Sequence, residues 1–179
     1  MPVTQRMLML VPMFALLTWA AVVDLRSRRI PNWLTLSLAL TGFVQSFLAM
    51  HAVTPWQSVL GLVTGLTLNV GLFALRIRGG GDVKLFAGLG AWLGPWLTFE
   101  VFLASTMIAA LLAVAQCAFN GKLVALFRNT AVLAVSAAHP RELGLAHVTR
   151  PDGTFQSVGR PVPYAVPVIL ATAAVLIWL

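Results

Sequence analysis

Two carboxylates frame the chemistry this chain could do. Asp24 closes the first long apolar run and leads into Arg26-Ser27-Arg28-Arg29. Asp82 ends the polar island Arg76-Ile77-Arg78-Gly79-Gly80-Gly81 and opens the next apolar run at Val83-Lys84-Leu85. Acids are scarce, with five Asp and Glu in 179 residues. An ionisable group at the edge of hydrocarbon is by default a functional candidate whose partner should be named. Here each aspartate is the natural partner of the other. Two carboxylates in one site do not readily ionise together, so one can hold a proton while the other acts as a base. Such a pair can activate water against a peptide carbonyl and protonate the leaving amine. Which aspartate takes which part stays open, because coupled groups titrate as a pair.

A blander reading competes. Asp24 could pair with Arg28, and Asp82 with Lys84 or Arg78, as solvated loop charges. For either aspartate alone that is the better account. For both at one depth, beside three consecutive glycines that free the backbone for close approach of a substrate, function is favoured.

Other chemistries find little support. There is no HExxH, and His51, His139 and His147 lack ligand-like spacing, so no metal is expected. The single cysteine, Cys117, lies in an apolar run and reads as a small buried hydrophobe. No cofactor motif is present. Gly88, Gly90 and Gly94 suit close helix packing better than phosphate binding.

The elements that must position the pair follow from composition. Hydrophobic residues make up 59% and charged residues 9%, with mean hydropathy +0.90. That balance describes an all-α polytopic membrane protein, with the lipid bilayer as its solvent. Net charge is +7, but no basic face is interleaved with aromatics, so nucleic acid is set aside as a partner. Apolar runs predict six spans, at residues 7–23, 33–50, 57–75, 83–93, 97–119 and 162–179. Pro31 suits the first turn of the second, and Gly94-Pro95 breaks the fourth from the fifth. Glu100 falls near the outer end of the fifth. The connection at 120–160 carries five basic residues, and its stretch 123–138 reads as an amphipathic helix on the cytoplasmic surface.

Charge orients the spans. The connections assigned inside hold three, three and five Lys and Arg, against Arg6 alone outside, which places both termini outside the cytoplasm. One membrane-embedded domain over 1–179 is expected. The second and third spans leave and return, so Asp24 and Asp82, 58 residues apart, arrive at the same face.

These residues resemble a known family. Gly79-Gly80-Gly81-Asp82 fits a GxGD signature, and Val83-Lys84-Leu85 extends it to the GxGDxKL form of type IV prepilin peptidases. Asp24 followed by Ile30-Pro31-Asn32 matches the family's other element. The resemblance covers most of the chain. It implies an aspartic endopeptidase of the bacterial inner membrane, without cofactor, that removes the basic leader of type IV prepilins or pseudopilins at the cytoplasmic face. Asp24 and Asp82 fall on the catalytic positions, with Gly79, Gly80, Gly81, Lys84, Ile30, Pro31 and Asn32 supporting them. The compact size resembles the small form associated with Tad/Flp pilus systems. Larger members carry an N-terminal domain with paired cysteines and also methylate the new N-terminus. This chain starts at its first span with one cysteine, which speaks against N-methylation.

Two other classes use the same residues differently. A small proton or cation transporter would employ the carboxylates as a relay, but needs them at mid-depth, preferably in repeated halves; no internal repeat is visible. A non-enzymatic subunit of a pilus or secretion machine would tolerate replacement of both.

Overall fold

The computed structural model describes residues 3–27, 29–48, 53–74, 79–121 and 164–178. Among these, every regular element is a helix: α1 Val3–Ser27, α2 Asn32–Gln45, α3 Pro55–Ala74, α4 Gly80–Phe119 and α5 Ala165–Ile177. Helix is what such runs demand, because without water each backbone N–H and C=O must find its partner within the segment. The stretch 123–138, expected as a surface helix, lies outside the described residues.

The expected break at Gly94-Pro95 is a reversal inside α4. Gly94 takes φ 75 and ψ 177, a conformation open essentially to glycine alone, and Pro95 has no N–H to offer the preceding turn. Phe86 and Phe102 lie on either side, and their ring centroids are 5.9 Å apart. A straight helix would separate these two positions by about 24 Å. The chain therefore folds back, giving a first limb at 80–93 and a second from 95 onward. Gly94 was expected to serve packing. Its backbone angle is what matters, since a Cβ there would meet only ordinary contacts at 3.7 Å or more.

The first limb is the centre of the fold. Every residue from 85 to 94 is buried, as befits a helix that is apolar all round. Its glycines let neighbouring backbones come close. A Cβ on Gly88 would stand 3.0 Å from the carbonyl oxygen of Thr35 in α2, and one on Gly90 would strike the carbonyl of Gly61 in α3. Side chains then bond across to helix carbonyls. Trp92 Nε1 donates to Leu38 O at 2.8 Å, and Ser58 Oγ donates to Ala91 O at 2.7 Å. The order of these contacts shows that α2 runs parallel to the limb and α3 antiparallel. On the other side α1 packs against α2 and α5. Met13, Leu17, Leu34, Phe86 and Val168 join α1, α2, α4 and α5 into one core.

Helix lengths refine the expectation of six spans. Among the described residues, three helices are long and apolar enough to cross a membrane: Leu10–Ser27, Pro55–Phe73 and Gly80–Phe119, the last shared between the two limbs. The elements α2 and α5 have 14 and 13 residues, short of the roughly 20 that a perpendicular crossing needs. Large apolar side chains such as Val11, Leu36, Leu40, Val63, Leu103 and Met107 are exposed around the outside, a distribution suited to lipid.

Residues 109–162 form a second compact unit, of which 109–121 are described. There the helix ends at Phe119. Asn120 Nδ2 returns to Gln116 O at 2.7 Å, and Gly121 adopts φ 65, the left-handed turn that commonly stops a helix.

Candidate active site

Asp24 sits in the last turn of α1 and Asp82 in the first turn of α4. Local sequence explains each placement. Arg26 follows Asp24 at the C-terminal end of α1, where cations are favoured. Gly79 precedes the helix, and Asp82 N donates to Gly79 O at 3.1 Å. Asp82 is thereby the third helical residue, where a negative side chain complements the exposed N–H groups. Gly80 and Gly81 form ordinary helix here, so the backbone freedom expected of the triple glycine is not spent on an unusual turn.

The two motif segments meet. Lys84 Nζ donates to Asn32 Oδ1 at 2.9 Å. A Cβ on Gly81 would stand 3.4 Å from Ile30 Cβ, so the start of α4 lies along the Ile30-Pro31-Asn32 segment. Pro31 caps α2 one residue earlier than expected. It is extended at φ −68 and ψ 141, and its carbonyl accepts from Leu34 N at 3.1 Å. The Ser27 hydroxyl, 2.9 Å from Val23 O and 3.1 Å from Arg29 O, closes the turn that joins this segment to α1. The ends of α1 and the starts of α2 and α4 therefore lie at one end of the bundle. Lys84 donates to Asn32, and Arg28 and Arg78, the other cations considered for the aspartates, lie outside the described residues.

The burial of the two acids differs. Asp24 is only 7% exposed, whereas Asp82 is half-buried. Asp24 Oδ2 accepts from the backbone N–H of Ala165 at 3.3 Å. That N–H opens α5, whose preceding residue Tyr164 makes no side-chain cap. The first N–H groups of a helix have no partner within it, and Asp24 supplies one from 141 positions away. Both aspartates thus stand at helix N-termini. Nothing local in the sequence announced this cap. The nearest signal was the chain's single tyrosine, a polar-tipped ring at the mouth of the last apolar run.

Glu100 is remote from this end. It lines a cavity of about 290 Å³ with Ala174, Val175 and Trp178. Those residues close α5, roughly 13–20 Å along its axis from Ala165. Among the described residues no three of His, Cys, Asp and Glu gather as metal ligands; His51, His139 and His147 lie outside them.

Comparison with known proteins agrees with the motif reading. Residues 11–114 match the type IV leader peptidase family. The chain is 32% identical over 133 residues to a prepilin leader peptidase/N-methyltransferase of Legionella pneumophila, covering 67% of this chain and 44% of that protein. It is 34% identical over 76 residues to a preflagellin peptidase of Methanocaldococcus jannaschii, covering 40% and 32%. It is 38% identical over 88 residues to a prepilin leader peptidase/N-methyltransferase of Dickeya chrysanthemi, covering 45% and 31%. The matches span less than half the length of each of these relatives. No solved structure matches the chain.

Proposed function

This chain belongs to the type IV leader peptidase family, and we propose that it is a membrane aspartic endopeptidase acting on type IV prepilins or pseudopilins. Asp24 and Asp82 are the reacting pair. One carboxylate takes a proton from a water held between them, the water oxygen attacks the scissile carbonyl, and the other carboxyl gives its proton to the departing amine as the C–N bond breaks. The observation that carries this reading is the Lys84–Asn32 hydrogen bond, which ties the segment bearing Asp82 to the one that follows Asp24.

The rest of the proposal follows from charge and length. Arg26, Arg28 and Arg29 beside Asp24 put the site at the cytoplasmic face of the inner membrane. The shorter helices cross as part of a six-span bundle, with both termini outside the cytoplasm, in the manner of the small Tad/Flp-type enzymes. A relay across the bilayer is disfavoured, because both aspartates stand at helix ends and not at mid-depth.

One observation favours a second reading for Asp24 alone: its carboxylate caps α5 and so has a structural task. Asparagine keeps a cap acceptor but cannot serve as acid or base. The full chain in liposomes, incubated with a candidate prepilin and followed by mass shift, decides. Asp24→Asn and Asp82→Asn should insert normally and lose leader removal. Full cleavage by either variant removes that residue from the chemistry.

A further inference from the structure

Tyr164 touches three elements that must agree for the two aspartates to meet. Its own peptide begins α5: Tyr164 O accepts from Val168 N at 3.3 Å, and the next N–H, that of Ala165, goes to Asp24. Its ring packs on Phe86, with centroids 6.1 Å apart and planes at 34°. Phe86 lies four residues beyond Asp82 on the first limb of α4, one turn along the same face. The Tyr164 hydroxyl lies 2.8 Å from Ser105 Oγ on the second limb.

The direction of that last bond follows from proton counting. Ser105 Oγ also donates to Phe102 O at 3.0 Å, and a serine hydroxyl has one proton. Both bonds are made when Tyr164 donates to Ser105. Ser105 is fully buried, so losing this partner would disturb a bond shielded from water. Phe102 in turn packs edge-on against Phe86 at 80°. The start of α5 is thereby fixed against both limbs of α4 at once.

We infer that Tyr164 is a positioning residue, bracing the N–H that holds Asp24 against the helix that carries Asp82. It acts through Ala165, whose N–H reaches Asp24. This rests on the aspartate-pair reading for its consequence in catalysis, but not for its geometry.

The test uses the full chain in liposomes, with Tyr164→Phe, which keeps the ring, and Ser105→Ala, which removes the other hydroxyl. Two quantities are read: labelling of Asp24 by a water-soluble carbodiimide with an amine nucleophile, located by mass spectrometry, and kcat and KM on a prepilin. Each variant should raise Asp24 labelling several-fold. Each should lower kcat by roughly tenfold, as expected for a small misplacement of a reacting group, with KM unchanged. The double variant should be no worse than either single one. Parental labelling of Asp24 in both variants overturns the brace. If the parent cleaves no prepilin, the peptidase reading falls, while the labelling still decides the role of Tyr164.

Discussion

Lys84 and Asn32, 52 residues apart, share a hydrogen bond of 2.9 Å at the bundle end that carries both aspartates. Lys84 is exposed, so the bond adds little to stability; exposed charged contacts contribute about 1 kcal/mol or less. Its value lies in register. Lys84→Met should leave unfolding in detergent within about 1 kcal/mol of the parent and reduce kcat by roughly tenfold or more. A variant that loses activity only in proportion to its loss of folded protein would show the bond to be merely structural.

The cap that Asp24 makes and its proposed part in cleavage separate by choice of side chain. Asp24→Asn should lose at least about 10²-fold in cleavage at nearly parental stability. Asp24→Ala should lose the same activity and in addition about 1 kcal/mol, the usual worth of an N-cap. Equilibrium unfolding and single-turnover cleavage of the two variants, side by side, check both halves.

Two glycines of α3 should respond with opposite signs. A Cβ on Gly61 would run into the backbone of Gly90 and Gly94, whereas one on Gly71 would meet nothing within 4 Å. Gly61→Ala should destabilise by about 1–3 kcal/mol through overpacking. Gly71→Ala should stabilise by up to about 1 kcal/mol, the helix preference of alanine over glycine. Equal effects in a denaturant titration would mean that the close approach of α3 to the first limb of α4 is not maintained in the membrane.

Gly94→Ala tests the reversal. At φ 75 and ψ 177 an alanine is strained by about 1–3 kcal/mol, although space exists for its methyl group. The expected loss of stability should come with a longer separation between spin labels placed on the two limbs. An unchanged separation at parental stability would mean that the turn does not depend on glycine.

Much of this protein was legible along the chain. Long apolar runs could only be helix, Gly94-Pro95 could only interrupt one, and Asp24 and Asp82 were marked by their scarcity and by their place at the ends of runs. These are local properties, set by backbone hydrogen bonding and by the cost of charge in hydrocarbon. Hydropathy alone could not tell a helix that spans lipid from a short one enclosed by its neighbours. Residues 83–93 read as a short span, and the structure adds that residues 85–93 of it are buried at the centre of the core.

Only the tertiary structure decided what holds Asp24. The N–H of Ala165 reaches Asp24 across 141 positions, and Tyr164 joins Phe86 and Ser105. Backbone donors carry no sequence signature, and the pairing of an aromatic ring with a distant serine depends on how the helices pack. Composition and order determined which groups were available; the folding back of α4 and the docking of α5 determined which of them meet.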